Sequence, residues 1–487
     1  MRDRRGEPLS TDDPAAVERL DAAVALMNGY FTDPLAVIDR ALEEHPDFVM
    51  GHCFRAGLLL IAAQKSVEPE LRRSVEAAEA LAARANDRER GHIAAARAWL
   101  DGDFHRTPEL YGRVLEDHPG DLAALQFAHQ CDFFVGDSAA LRDRPAGVLA
   151  RSDPGLPGHG FVLGMHAFGL EENGDFAAAE ETGRRAVGLI PRNPWAIHAV
   201  AHVMEMQGRS GEGIAWMRDR EADWAPDNLL AVHNWWHLAL HHLDRCETGA
   251  VLDIYDRHVR PRPEAIGLEL SDATALLWRL HLAGIDAGDR WREVADGWEP
   301  MAGDGYYAFN DMHAMMAFVA AGRDGAAGRL VATLTARAAG SGAIGGRAGG
   351  RCAHGGTPDG WGRLGRHGPR RRPGLRPSGR GGPEPVYASG RRVAPRGPEV
   401  LPRRTSAPRV RTTTSARFRG PWPCPGPGAP RGGSRARRPS GARRSGSPRR
   451  RRCRAGRAGR SPAGRPRPRR PRRAGPRVRS TAGPARG

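Results

Sequence analysis

The chain has 487 residues and a formal net charge of +18, which is unevenly distributed along it. Residues 341–487 contain 40 arginines and only three acidic residues, which leaves 34 basic and 53 acidic residues before them, a net charge of −19. An acidic first part favours basic partners and repels nucleic acid, so nucleic-acid binding is excluded for that part of the chain.

The N-terminal residues are charged and lead into no apolar segment of the kind a signal peptide has. The longest apolar run, residues 56–63, is too short to cross a bilayer. Cys53, Cys131 and Cys246 are far apart and form no CxxC pair, so they indicate neither a disulfide framework nor a zinc knuckle. These features predict a cytoplasmic protein with no membrane partner.

Glycine and proline recur along the acidic part at the spacing of paired helices. Gly is followed by Pro after 17 or 18 residues at Gly29 and Pro46, Gly102 and Pro119, Gly136 and Pro154, Gly174 and Pro191, and Gly208 and Pro226. The last four glycines lie 34, 38 and 34 residues apart, a period typical of stacked helix pairs. Residues 1–340 are therefore predicted to form an all-α solenoid of eight or nine helix pairs.

The clearest unit covers residues 160–191. Residues 161–170 and 176–190 have the composition of two helices, and Gly174 between them permits a tight turn. Phe176 is predicted to fill the space between the two helices, and Pro191 to end the second. The sequence has almost no strand or hairpin signal, which also predicts an all-α domain.

Several stretches of this part resemble the tetratricopeptide repeat (TPR), and more narrowly the tetratricopeptide repeat protein 38 family, between about residues 8 and 338. The stretches are Asp47–Cys53, Phe161–Glu172, His198–Gly208, His233–Leu240 and Phe309–His313. The resemblance implies a right-handed TPR-like α-solenoid that serves as a scaffold, and it implies no defined activity. Members of that family look helical to their C-termini, so this chain departs from the pattern after about residue 340.

Histidine recurs at one position of the repeat: His129, His166, His202 and His237 are separated by 37, 36 and 35 residues. Two of these have a second histidine four residues earlier, which places both on one helix face. In TPR arrays the first helix of each pair lines the concave groove. The predicted groove consists of His129, His166, His198, His202, Glu205, His233, Trp235, His237 and His313.

Three interpretations of these histidines are open. A groove of imidazoles and aromatic rings suits a peptide or protein partner, which favours a binding or scaffold protein with no cofactor. Histidine pairs on neighbouring helices can instead bind zinc or a similar divalent metal through His198, His202, His233 and His237, as in a metal-dependent enzyme. The HExxH pattern is missing, because Ala199 follows His198. Third, each imidazole can be structural and hydrogen-bond a neighbour. Independently of the histidines, the acidic pair Glu171 and Glu172 is interpreted as a solvated helix face.

Residues 341–487 form the second predicted region, an Arg/Gly/Pro-rich tail that cannot bury a core and is expected to be disordered. The chain has 73 arginines and one lysine, which indicates GC-rich codons, and such DNA read out of frame encodes mostly Arg, Gly, Pro, Ala and Ser. A frameshift product is therefore the favoured interpretation. The alternative is a genuine arm that binds nucleic acid through phosphate contacts. The sequence leaves the oligomeric state open.

Overall fold

The structure is a computed structural model, and it describes residues 1–263 and 265–339. The predicted tail, residues 341–487, lies outside the described residues. Within the described ranges the chain is all-α, as predicted: it contains two isolated β-bridges, Arg2 with Pro8 and Phe31 with Asn228, and no strand. None of the described helices is long and apolar enough to cross a membrane.

The described residues form nineteen α-helices. In chain order they are α1 (Pro14–Asn28), α2 (Pro34–Glu44), α3 (Val49–Leu60), α4 (Glu68–Ala80), α5 (Asp87–Leu100), α6 (Arg106–Asp117), α7 (Leu122–Val135), α8 (Ser138–Arg151), α9 (His159–Glu172), α10 (Phe176–Leu189), α11 (Pro194–Met206), α12 (Ser210–Arg218), α13 (Glu221–Trp224), α14 (Ala231–Asp244), α15 (Thr248–Ile254), α16 (Gly267–Leu282), α17 (Arg290–Trp298), α18 (Ala308–Ala321) and α19 (Asp324–Ala339). Short 3₁₀ segments cover Lys65–Val67 and Glu299–Met301, and a π-helical turn covers Tyr255–Val259.

The repeated glycines lie where one helix of a pair ends and the next begins. Gly102, Gly136, Gly174 and Gly208 have φ values between 71° and 84°, the left-handed conformation that glycine adopts without a Cβ clash. Gly29 differs, because its φ is −86° and the residue after it, Tyr30, takes the left-handed conformation instead. A strained non-glycine turn therefore replaces the repeated glycine turn in the first unit.

Consecutive helices contact each other in nine pairs within the described part of the chain, from α1 with α2 to α18 with α19. The four-residue α13 stands between the sixth pair and the seventh. The first helices of adjacent pairs also contact each other: α9 contacts α11, α11 contacts α14, α14 contacts α16, and α16 contacts α18. Each first helix is thus covered on several sides, which explains why α11 has ten buried residues out of thirteen.

Distant helix pairs also contact each other directly. The Tyr30 ring stacks on Trp195 of α11 with ring centres 5.6 Å apart, and Phe134 of α7 contacts Tyr307 with ring centres 5.4 Å apart. Trp99 of α5 donates an indole hydrogen bond of 3.0 Å to the Tyr306 hydroxyl. In a strictly linear solenoid each repeat contacts only its neighbours. Here aromatic side chains of the first, third and fourth pairs contact α11 or the segment before α18.

Two large hydrophobic clusters make up the core, and α11 contributes to both. Trp195 and Ala199 belong to the cluster formed mainly by α1 to α9, whereas Ile197, Val200 and Met204 belong to the cluster that extends to α19. The histidines of α11 consequently lie at the junction of the two clusters, where buried side chains pack on both sides of the helix.

Candidate metal centre

Four of the predicted histidines lie on two adjacent first helices. His198 and His202 are one turn apart on α11, and His233 and His237 are one turn apart on α14, which packs against α11. Asn193 fixes the start of α11, because its side chain accepts a hydrogen bond of 3.1 Å from the backbone amide of Ala196. Residues four apart share a helix face, so each helix presents two imidazoles to the other.

The Nε2 atoms of these four histidines converge on one point. The Nε2 atom of His237 lies 3.1 Å from that of His198, 3.0 Å from that of His202 and 3.1 Å from that of His233. The Nε2 atoms of His198 and His233 are 3.0 Å apart. We call this set, His198, His202, His233 and His237, the four-histidine centre.

The outer nitrogen of three of these imidazoles faces a carboxylate. His233 Nδ1 lies 3.0 Å from Asp272 Oδ1 and His237 Nδ1 lies 3.0 Å from Glu205 Oε2, both at hydrogen-bond geometry. His202 Nδ1 lies 3.2 Å from Glu171 Oε2. A carboxylate at Nδ1 holds the proton on that nitrogen, so the Nε2 lone pair points inward. Among the described residues His198 Nδ1 has no hydrogen-bond partner.

Inward lone pairs repel each other unless a positive charge lies among them. Burial lowers the pKa of His202, but the charges of Glu171, Glu205 and Glu172 outweigh burial and raise its pKa to about 9. Burial, followed by the charge on His202, holds the pKa values of His198 and His237 well below the ordinary range. The four inward Nε2 atoms can therefore accommodate one shared proton or one metal cation. They cannot all be protonated at once, because four positive imidazoles would repel each other.

The surrounding acidic groups add negative charge to the centre. Burial raises the pKa of Glu205 to about 7, even though the charges of His202 and Arg279 act in the opposite direction. The Arg279 guanidinium lies 4.9 Å from the centre of the Trp236 ring, which in turn stacks on His233. A buried cation would stabilise the ionised form of these carboxyl groups.

The structure brings together five of the nine residues predicted to line a groove, the four-histidine centre and Glu205, and places the others elsewhere. His129 is fully buried, and its Nε2 accepts a hydrogen bond of 3.2 Å from the Trp195 indole. His166 is half-buried, and its Nδ1 donates to the carbonyl of Arg142 at 3.2 Å. His313 is buried, and its Nδ1 donates to the carbonyl of Phe309 at 2.8 Å.

Trp235 lies on the other side of α14 from the histidines. It is buried, stacks on His258 with ring centres 3.7 Å apart, and contacts Trp224. Trp236 is also buried, but it stacks on His233 with an interplanar angle of 10°. The two tryptophans thus point in different directions, as adjacent residues in a helix must, and Trp236 is the one beside the centre.

Sequence reasoning missed two of the three carboxylates. Glu171 is 5% exposed, so the expectation that Glu171 and Glu172 form a solvated helix face is wrong for Glu171. Asp272 lies on α16, 39 residues beyond His233, and no motif marks it. The signal that could have identified Glu171 is its position at the end of the first helix of the unit before His202, where adjacent first helices contact each other. No protein-family model matches the chain.

Proposed function

We propose that this chain binds a divalent first-row transition metal, zinc in first place, at the four-histidine centre. The observation that carries the proposal is the convergence of four Nε2 atoms, each 3.0–3.1 Å from at least one other, with three of the outer nitrogens facing carboxylates. Imidazole is a common ligand of zinc, iron, nickel and copper, and a histidine ligand usually donates its other nitrogen to a carboxylate or carbonyl.

The spacing of the ligands fits a metal of this size. Zinc–nitrogen bonds of about 2.0–2.1 Å place tetrahedral ligand atoms roughly 3.3–3.4 Å apart. The observed separations of 3.0–3.1 Å therefore need an outward movement of a few tenths of an ångström. Small rotations about the side-chain bonds of the four histidines would provide that movement.

A purely structural role for the imidazoles is the competing explanation. His166 and His313 show how structural histidines are satisfied in this chain, because each donates to a backbone carbonyl. The imidazoles of the centre face each other instead, and buried polar atoms usually have a complementary partner. Four acceptor nitrogens around one point are complementary to a cation, which is why we favour metal binding.

The finer assignments of the fold remain proposals. We propose a right-handed TPR-like solenoid related to the tetratricopeptide repeat protein 38 family, supported by the nine helix pairs and by the sequence motifs named above. The peptide-binding groove has weaker support, because His129, Trp235 and His313 of that predicted surface are buried. A scaffold role in the cytoplasm with a protein partner stays a prediction.

Metal analysis of the purified full-length chain tests the proposal. We expect one equivalent of metal per chain after dialysis against zinc-free buffer, and loss of that equivalent in the variant His237→Ala. The variant His166→Ala is the matched control, because His166 occupies the equivalent repeat position outside the centre. Both variants retain Cys352, Cys424, Cys453, His354 and His367, so the difference between them reports the centre rather than residues 340–487. Equal metal contents in wild type and His237→Ala would refute the proposal.

A further inference from the structure

The four ligands of the centre differ sharply in their exposure. His198 and His237 are 1% and 2% exposed, whereas the side chains of His202 and His233 keep 21% and 30% of their surface accessible. The side of the centre that carries His202 and His233 is therefore its more exposed side. The opposite side is closed by protein.

The distances between the rings agree with this division. The two buried nitrogens, Nε2 of His198 and Nε2 of His237, are 3.1 Å apart and form the floor of the centre. The Nε2 atom of His202 lies 3.0 Å from that of His237. The Nε2 atom of His233 lies 3.0 Å from that of His198 and 3.1 Å from that of His237. A cation resting on the floor between His202 and His233 thus keeps one side towards solvent.

The fold around the centre does not depend on a metal for its packing. Ile197, Val200 and Met204 of α11 and Leu238 of α14 are fully or almost fully buried in one hydrophobic cluster. Structural zinc sites are closed by four protein ligands and supply much of the folding energy of small domains, whereas catalytic sites keep a position for water or substrate. The four-histidine centre has as many protein ligands as a structural site, but two of them are partly exposed and its helices pack well without a metal. An open position would therefore be a fifth one, on the side of His202 and His233.

We propose, on the basis of the metal binding proposed above, that a metal in the four-histidine centre holds an exchangeable water on the side between His202 and His233. A small monodentate anion can displace this water. Such a metal has five ligands, the four imidazoles and one exchangeable ligand, and we call the centre open in this sense.

The charge around the centre limits which ligands can bind there. Glu171, Glu205 and Asp272 supply three carboxylates, 3.0–3.2 Å from the outer nitrogens of the ligands, which more than offset the two positive charges of a divalent cation. A neutral resting ligand such as water suits this balance, and a multiply charged anion would be repelled by the carboxylates. Azide, which is small and carries one negative charge, is the appropriate probe.

Cobalt substitution tests the inference, since Co(II) occupies zinc sites and its visible absorption depends on coordination number. The full-length chain is stripped with a chelator, loaded with one equivalent of Co(II), and titrated with sodium azide. Sodium perchlorate at equal ionic strength is the control, because perchlorate coordinates metals weakly. We expect a saturable shift of the visible bands with azide and none with perchlorate.

The outcomes separate this inference from the proposal on which it rests. If no visible Co(II) bands appear, or if His237→Ala shows the same bands as wild type, the metal centre itself is refuted. If the bands appear in wild type, disappear in His237→Ala, and do not respond to azide, the centre binds metal but is closed, and only the open position is refuted. An equal response to azide and perchlorate would also overturn the open position.

Discussion

Two buried polar networks in this chain pair their titratable groups in different ways. In the network of Arg88, Asp121, His92 and Asp3, Arg88 Nε lies 2.6 Å from Asp121, Arg88 Nη1 lies 3.0 Å from Asp3, and His92 Nε2 lies 2.7 Å from Asp121. Here each carboxylate faces nitrogen atoms of Arg88 or His92. In the four-histidine centre the carboxylates lie outside, and the basic nitrogens face one another.

The difference shows which network is complete by itself. Burial raises the pKa of Asp121, but the charges of Arg88 and His92 outweigh burial, so its pKa lies well below the ordinary range. That carboxylate also caps α7 by accepting a hydrogen bond from the amide of Ala124 at 3.0 Å. The buried carboxylate of the first network thus has its counter-charge within the chain, whereas the four-histidine centre gains stability from an added cation.

The largest effect on stability is expected from Arg88→Leu. This change leaves Asp121 buried without its main counter-charge, and breaking a buried ion pair costs about 3–5 kcal/mol. Urea unfolding followed by circular dichroism measures the loss. The matched control is Arg84→Leu, because Arg84 pairs with Asp47 at 2.6 Å on the surface, where both side chains are 57% exposed. Such a pair contributes about 0.2–1 kcal/mol, and equal losses in both variants would contradict the contrast.

Metal addition should stabilise the chain by a smaller amount. A ligand that binds only the folded state at one hundred times its Kd stabilises by about 2.7 kcal/mol. We expect this increment in wild type and in Arg88→Leu, because the two networks share no residue and independent effects add. We expect none in His237→Ala. Thermal unfolding with and without zinc measures it, and an increment that survives in His237→Ala would place the metal outside the centre.

Sequence patterns predicted the helix pairs well, because their markers are local. Gly102, Gly136, Gly174 and Gly208 take the left-handed turn conformation that paired helices require. The pairs His198 with His202 and His233 with His237 were visible from their four-residue spacing. The repeat spacing also suggested that His129 belongs with them, but a difference of one or two residues in repeat length rotates a side chain by about 100° per residue. The direction of the His129 side chain is therefore determined by tertiary packing, which the repeat spacing does not reveal.

The carboxylates could not be predicted for a related reason. Glu205 is one turn from His202, so its position was inferred from helix geometry. Asp272 reaches His233 only because α16 packs against α14. Glu171 and Glu172 are adjacent and chemically equal, and only tertiary contacts make the first buried and leave the second exposed. Residues that act through contacts between helices carry no local signal.

His129 is a buried histidine without a carboxylate partner, unlike the histidines of the two networks that pair with a carboxylate. Burial, followed by the charge of Arg144, lowers its pKa to about 3. The unfolded chain binds a proton at this residue below about pH 6.5, and the folded chain does not, so stability falls as pH decreases. Between pH 7 and pH 5 this residue should account for about 2 kcal/mol. His129→Gln, which keeps an acceptor for the Trp195 indole, should reduce the slope of unfolding free energy against pH, and an unchanged slope would contradict the prediction.

The smallest effect we predict is that of Glu205→Gln on metal affinity. The amide oxygen of glutamine still accepts from His237 Nδ1, so the orientation of the ring is kept while one negative charge is removed. Loss of such an outer partner typically costs 10-fold to 100-fold in affinity, and with the hydrogen bond retained we expect the lower end, about 10-fold. Competition with a chromophoric chelator measures it.

Glu247→Gln is the matched control for Glu205→Gln. Glu247 accepts from His242 Nδ1 at 2.6 Å, and this histidine is on α14 but outside the four-histidine centre. The variant Glu247→Gln therefore removes a carboxylate that pairs with a histidine of the same helix, but this histidine is not a ligand of the proposed metal. We expect unchanged affinity in Glu247→Gln. A decrease of equal size in both variants would mean that α14 is merely loosened, whereas a decrease confined to Glu205→Gln means that the carboxylate acts on the metal through His237.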